Sequence, residues 1–358
     1  MEKYQLITCE KPGQALKIAT ALSDNKPIEK QLNGISYYEI SHNGKKIVVA
    51  SAVGHLFTLA EKKKSNKYPV FDIEWVPSYS TSKKSRFTKK YYDVLKSLSK
   101  ESDSHVNACD VDIEGELIFK NILYFLYKKS NANRMYFSTL TKDDLRKSYE
   151  DMKSSIDKRL AEAGETRHML DYFWGISTSR ALTLAIKHAT GHYKIMSTGR
   201  VQGPALKLIV DREREIKAFN SVPYWEIELI AENNSDKVNA FHKEGKFWEK
   251  EKAKAIIEKT KNKKAFVTNL DKKQFNQDPL HPFDLTALQL ESYRALRISP
   301  KETLEIAQNL YVSGLISYPR TSSNQLPPSI GYKKIIQSLK KQENYSKLVD
   351  SLMKNTNL

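Results

Sequence analysis

The chain has 358 residues, 40% hydrophobic and 28% charged, the balance of an ordinary globular protein with core enough for two to four structural units. No apolar run approaches the roughly 18–20 residues that span a bilayer, and the two cysteines, Cys9 and Cys109, form no CxxC pair, which excludes a zinc ribbon. Lysine and arginine total 59 against 42 acids, a net charge of +17, which points to a polyanionic partner, with a surface of solvated lysines as the competing explanation.

The opening "MEKYQLITCEKPGQ" reads as a strand and a turn rather than a signal peptide, so a cytoplasmic protein is expected. Residues 14–22 have a helical pattern. "ISYYEIS" and "KKIVVASAV" flank "HNG", a hairpin signal. "HVNACD" is a further strand, followed by a helical run from Glu116 to Lys128. "RMYFS" reads as a strand and "TKDDLRKSYEDMK" as a helix with Thr141 at its N-cap. Strands alternating with helices predict an α/β sheet with parallel pairs over residues 1–155. Residues 160–220 are helical, broken near "GHYKIMSTG", with Ser197 and Thr198 placed to enter the next helix. "YWEIELIAE", "KVNAFHK" and "KAFVTNLDKKQF" alternate as β-strands do. From Leu285 the pattern returns to helices, interrupted at "SYPRTSSNQLPP". The type of element changes three times, which predicts three or four lobes.

"HVNACDVDIEGELIF" carries the most chemistry. A strand runs into Asp110, Asp112 and Glu114. Alternate residues at a strand end project to one side, so the three carboxylates are expected to converge. Two like charges about 5 Å apart repel by roughly 3 kcal/mol at an effective dielectric near 20. Such a group calls for a cation, and hard oxygen donors suit Mg²⁺. A solvated acidic turn is the alternative. An EF-hand fails, because its twelfth position is Asn121 and a strand enters the loop. Glu10, followed by Lys11, ends the first strand in the same way. A glutamate after one strand and D-x-D-x-E after another resembles the Toprim domain of topoisomerases, bacterial-type primases and some nucleases. The resemblance implies a proton-transfer role for Glu10 and Mg²⁺ on the acidic group.

"GLISYPRTSSNQLP" places Tyr318 before a proline and two residues before Arg320. A phenol is a poor nucleophile at its usual pKa of about 10. It gains use beside a cation that grips the phosphate under attack. Pro319 disfavours helix at Tyr318, and in an extended segment Tyr318 and Arg320 face the same way. A packed tyrosine beside a surface arginine is the plainer alternative.

Together with "ITCEKPGQALKIA", "SAVGHLFTL", "RMYFSTLT", "ETRHMLDYFWGISTSRAL" and "MSTGRVQGPAL", these segments resemble type IA DNA topoisomerases of the archaeal and topoisomerase III-like branch. The resemblance runs from residue 4 to about 330. It implies a multidomain α/β chain with α and β lobes. These are a Rossmann-like Toprim domain over 1–155, a helical lobe gripping single-stranded DNA over 156–220, the start of a β-rich arch over 221–278, and a partial lobe carrying the nucleophilic tyrosine over 279–358.

The implied mechanism is ATP-independent cleavage of one DNA strand through a 5′-phosphotyrosine, then religation, relaxing negative supercoils by strand passage. Tyr318 is the implied nucleophile and Arg320 the phosphate grip. Glu10 and Lys11 support proton transfer, and Asp110, Asp112, Glu114 and Glu10 hold Mg²⁺. His55, Arg134, Arg167, Asp171, Ser197, Arg200 and Gln202 are the implied DNA-binding residues. His168 stands where some bacterial relatives have an arginine, and it is left out of that set. The implied partner is single-stranded or negatively supercoiled DNA, and the implied location is cytoplasmic, at the nucleoid. Two other readings stay open: a Toprim nuclease or primase, and a single-stranded-DNA-binding fragment with weak or no catalysis. The chain ends 40 residues after Tyr318, so a C-terminal topoisomerase portion in trans is expected for relaxation.

Overall fold

The computed structural model describes residues 3–233, 236–326 and 330–355. Residues 327–328 of the stretch read as an interruption, and the last three residues of the tail, lie outside the described residues. By packing, the chain divides into two compact units, Met1–Gly199 with Leu280–Leu358, and Arg200–Pro279.

In the first unit the elements run β1 (Tyr4–Cys9), α1 (Pro12–Leu22), β2 (Ile28–Leu32), β3 (Ile35–His42), β4 (Lys45–Ser51), β5 (Phe57–Glu61), β6 (Ile73–Pro77), α2 (Thr88–Glu101) and β7 (Ser102–Asn107). They continue with α3 (Ile113–Asn121), β8 (Asn133–Arg134), α4 (Lys142–Glu150) and α5 (Lys158–Thr190). Six strands form one sheet in the order β2-β3-β4-β1-β7-β8. β1 lies between β4 and β7 and is parallel to both. Its apolar run fits a strand covered on both faces. Leu6 points into one apolar layer with Val48, Leu95 and Phe119, and Ile7 into the other with Ile18, Val49 and Met135. The expected hairpin is present: Asn43 and Gly44 turn between β3 and β4 with φ of 50° and 74°, the signature of a two-residue primed turn. Cys9 and Cys109 belong to opposite layers, which separates their thiols across the sheet.

The strand expected over "RMYFS" is confined to Asn133–Arg134. The chain turns away because Asp144 Oδ2 accepts the backbone N–H groups of Ser138 and Thr139 at 3.1 and 2.8 Å. Thr141 holds the N-cap position of α4, but its hydroxyl pairs with that of Thr139. α5 has 33 residues, about 50 Å at the helical rise. Asp157 caps its start and Gly191, at φ 72°, ends it.

The second unit contains α6 (Gln202–Ala218), the antiparallel pair β9 (Trp225–Asn233) and β10 (Asp236–Phe247), and α7 (Lys250–Thr260), which the alternation reading did not anticipate. "KAFVTNLDKKQF" forms no strand. No described strand pairs with it, and Phe266, Val267 and Leu270 stand exposed. The helix after the break begins at Gln202, with Val201 at its N-cap. Ser197 and Thr198 therefore lie before it, not at its entry. Residues 196–198 are instead tied to α5 by backbone bonds to the Thr183 and Ser179 hydroxyls.

The first unit resumes with α8 (Leu285–Leu296), α9 (Pro300–Val312), α10 (Tyr332–Leu339) and α11 (Glu343–Asn355). α9 brings Tyr311 into the apolar layer beneath β1. Among the described residues, no helix is long and apolar enough to cross a membrane.

Candidate active site

The site lies at the carboxyl ends of β1 and β7, where open α/β sheets place their ligands. Asp110 is fully buried. Lys11 Nζ sits 2.8 Å from its Oδ2, and the Tyr311 hydroxyl donates to its Oδ1 at 3.0 Å. The Gln14 side-chain amide donates to the same Oδ1, while its carbonyl accepts the Lys11 backbone N–H at 3.0 Å. Lys11 Nζ also lies 3.2 Å from Glu10 Oε1. Burial works against the Lys11 ammonium, yet Asp110 and Glu10 together raise its pKa. Burial, then the charge of Asp110, pushes Glu10 up to about 7; Lys11 opposes this and Asp112 adds to it.

Gly115 permits this packing. A Cβ there would lie 2.2 Å from the Asp110 carbonyl oxygen, so only glycine lets α3 approach so closely. Asp112 is the N-cap of α3, and its Oδ1 accepts the Glu114 and Gly115 N–H groups at 3.0 and 2.8 Å. Its Oδ2 accepts the Tyr318 hydroxyl at 2.6 Å. Tyr318 is docked by its own N–H on the Ser138 carbonyl at 2.8 Å, and its ring meets Tyr311 edge-on at 5.1 Å. Burial first, then Asp110 and Asp112, raise the Tyr318 pKa far above that of an ordinary phenol. The resting nucleophile candidate is a neutral phenol aimed at a carboxylate.

The expected convergence of three carboxylates on one point does not occur. β7 ends at Asn107, so strand alternation does not govern residues 110–114. Asp112 caps the helix, and Glu114, in its first turn, points elsewhere. Its Oε2 lies 2.9 Å from His55 Nε2 and 2.8 Å from His168 Nε2, and its Oε1 lies 3.4 Å from Arg167 Nη1. Hydrogen bonds from His168 and then His55 hold its carboxyl well below the usual range. His55 arrives through a turn at Val53 and Gly54, both at positive φ, pinned by the Gly54 N–H on the Glu10 carbonyl. Glu114, Arg167, His168 and Asp171 line a cavity of about 470 Å³, and Arg167 and Asp171 are 3.9 Å apart along α5.

Arg134 is a second correction. Its side chain is 0% exposed, with Nε 3.0 Å from Glu116 Oε2. Its Nη1 and Nη2 donate to the carbonyls of Cys109 and Asp110 at 2.7 and 3.0 Å. A guanidinium sealed in the core does not reach a substrate; it fixes the backbone that carries Asp110.

The Toprim domain family matches residues 5–140, and the DNA topoisomerase family matches residues 155–358. The chain belongs to the DNA topoisomerase family. It is 48% identical to DNA topoisomerase 1 of Pyrococcus horikoshii over 342 residues, covering 95% of this chain and 50% of that protein. It is also 48% identical to DNA topoisomerase 1 of Methanocaldococcus jannaschii over 353 residues, covering 98% and 45%. The chain thus spans about half the length of these relatives. The solved full-length topoisomerase I of Thermotoga maritima shares its fold with a TM-score of 0.64 at 24% identity, over 94% of this chain and 52% of that one.

Among the other family-implied positions, Ser197 is exposed in the break after α5, and Arg200 and Gln202 open the second unit. Arg320 is exposed, at the centre of a three-residue turn closed by the Thr321 N–H on the Pro319 carbonyl at 2.9 Å. The extended alternation that would align it with Tyr318 does not hold there. Sequence reasoning missed three residues. Gln14 follows the Glu10–Lys11 pair by one helical turn, a signal that was available. His168 lies on the family-like α5 segment. Tyr311 carries no local signal, since it meets Asp110 across 201 residues of chain.

Proposed function

We propose that this chain carries the cleavage chemistry of a type IA DNA topoisomerase, with Tyr318 forming a 5′-phosphotyrosyl bond to single-stranded DNA. The observation that carries the reading is the Tyr318 hydroxyl on Asp112 Oδ2 at 2.6 Å, beside the Glu10–Lys11–Asp110 cluster. A phenol held neutral must lose its proton to attack phosphorus, and Asp112 accepts the hydrogen bond along which that proton leaves. Glu10, with its pKa near 7, can hold or release a proton at neutral pH. This suits protonation of the departing 3′-oxygen. Lys11 offsets part of the negative charge, and Arg320 offers an exposed guanidinium for the scissile phosphate.

Glu10, Asp110 and Asp112 fit Mg²⁺ as a donor set. They are hard carboxylate oxygens, and burial first, then the Asp110 charge, raises the Glu10 pKa despite the Lys11 ammonium. When bound there, the ion would supply positive charge to phosphate oxygens. Glu114 would join that set only by leaving its histidines.

His55, Arg167, Asp171, Ser197, Arg200 and Gln202 contact or organise single-stranded DNA, with Arg134 acting from behind. The lobes divide near residues 156, 221 and 279. Strand passage on negatively supercoiled DNA, at the nucleoid and without ATP, belongs to a protein of the relatives' full length. The test is a labelled single-stranded oligonucleotide incubated with the chain and Mg²⁺, then run on a denaturing gel. A covalent adduct that disappears in Tyr318→Phe supports the proposal. Cleavage without an adduct, or an adduct that persists in that variant, overturns it.

A further inference from the structure

The geometry points to a second, nitrogen-bearing metal site built from His55, Glu114 and His168, suited to a borderline divalent ion such as Zn²⁺ and separate from the oxygen donors around Asp110. Among the described residues, this is the one group of three potential metal donors whose ligand atoms all lie within 4.8 Å of one another. His55 Nε2 and His168 Nε2 stand 2.9 and 2.8 Å from the same Oε2 of Glu114. Two ligand atoms at the tetrahedral angle, each about 2.1 Å from one ion, are separated by about 3.4 Å. The present N···O spacings are about half an ångström shorter than that, so binding asks the imidazoles to draw back slightly and exchange a shared hydrogen-bond acceptor for a shared cation.

Three further observations support the assignment. The His55 and His168 rings are already gathered, with centroids 4.8 Å apart, and Trp75 packs on His168 at 6.0 Å. His55 Nδ1 has no hydrogen-bond partner among the described residues. The Glu114 carboxylate keeps the proton on Nε2 in the hydrogen-bonded state, and the unpartnered Nδ1 can receive it when Nε2 ligates a metal. Glu114 and His168 line the 470 Å³ cavity, which gives water and ions a path to the trio. Imidazole with one carboxylate selects zinc-like ions over Mg²⁺, whereas the all-carboxylate cluster does the opposite. An ion at the trio would tie the turn before β5 to α3 and α5 and keep Glu114 away from the Mg²⁺ donors.

The inference does not depend on cleavage chemistry, and its test reads metal binding alone. Co²⁺ is titrated into the metal-free chain in excess Mg²⁺, with visible d–d absorption as the readout, and Zn²⁺ is then used to displace it. One equivalent is expected to bind. His55→Gln and His168→Gln should each weaken binding at least about tenfold, while His188→Gln, an exposed position on α5, leaves it unchanged. Nitrogen-15 correlation spectra of the wild-type imidazoles give a readout independent of variant folding: Zn²⁺ should shift the resonances of two histidines. Absence of uptake, affinity unchanged from the parent in both cluster variants, or shifts spread over other histidines would show that the trio is only hydrogen-bonded.

Discussion

Arg134→Met is the sharpest test of whether that arginine supports the site from behind or meets the substrate. The substitution keeps most of the side-chain volume and removes the charge. It strands the Glu116 carboxylate in the core with the Asn107 amide at 2.6 Å and the Asp157 N–H at 2.7 Å. Burial already pushes the Glu116 pKa up, and Arg134 is the largest influence opposing that. Breaking a buried pair by removing one partner costs about 3–5 kcal/mol. At roughly 2–4 °C per kcal/mol for a unit of this size, Tm should fall by about 6–20 °C. Arg134→Met with Glu116→Met leaves no lone charge and should recover most of the loss. Thermal unfolding followed by circular dichroism reads both variants, and fluorescence anisotropy reads single-stranded DNA binding below the transition. If Arg134→Met melts with the parent but loses DNA affinity, the buried-support argument is refuted.

Tyr318→Phe should abolish covalent capture of a labelled oligonucleotide and leave anisotropy-measured binding nearly intact, since only the phenolic oxygen is lost. Asp144→Ala should lower the yield of covalent adduct without weakening DNA binding, because the turn holding the Ser138 carbonyl loosens; Asp144→Asn, which still offers an acceptor oxygen, should recover part of the yield. Gly115→Ala should destabilise the chain by about 1–3 kcal/mol in urea unfolding, since its Cβ meets backbone that cannot swing aside. Burial, then Lys129, lowers the pKa of His105 to about 4, with Asp103 opposing. The folded state therefore takes up its proton later than the unfolded one, and stability should fall as pH drops from about 6.5 toward 4. His105→Phe, which retains the 4.5 Å stack on Tyr127, should flatten that slope in pH-dependent melts.

Much of the site was legible because it sits where short-range patterns end. Glu10 and Asp110 follow apolar strands, and those strands lie side by side in the sheet. Tyr318 follows a helix and precedes a proline. What was not legible came from competition between local structures. Asp112 reads as a strand-end carboxylate but serves as a helix cap, since the α3 N-terminus needs an acceptor for its free N–H groups. That choice rotates Glu114 toward α5. Arg134 reads as a DNA-facing cation because charged residues are seldom buried, yet Glu116 of α3, 3.0 Å from its Nε, compensates it in the core. "KAFVTNLDKKQF" has the alternation of a strand, but alternation only matters where a neighbouring strand offers bonds. Tyr311 could not be found by any local rule, since its partner is set by tertiary packing.

The hydrogen bond from Tyr318 to Asp112 joins residues 206 apart in the chain. A ribosome adding about 5–20 residues per second needs roughly 10–40 s to cover that distance. During that interval the sheet bearing Glu10, Asp110 and Asp112 can fold while both tyrosines are still unmade. The nascent domain then has Asp110 held by Lys11 and Gln14, with water in place of the Tyr311 hydroxyl until α9 arrives. The order of synthesis thus completes the acidic half of the site before Tyr318 exists, so the proposed cleavage would have to wait for the later segment.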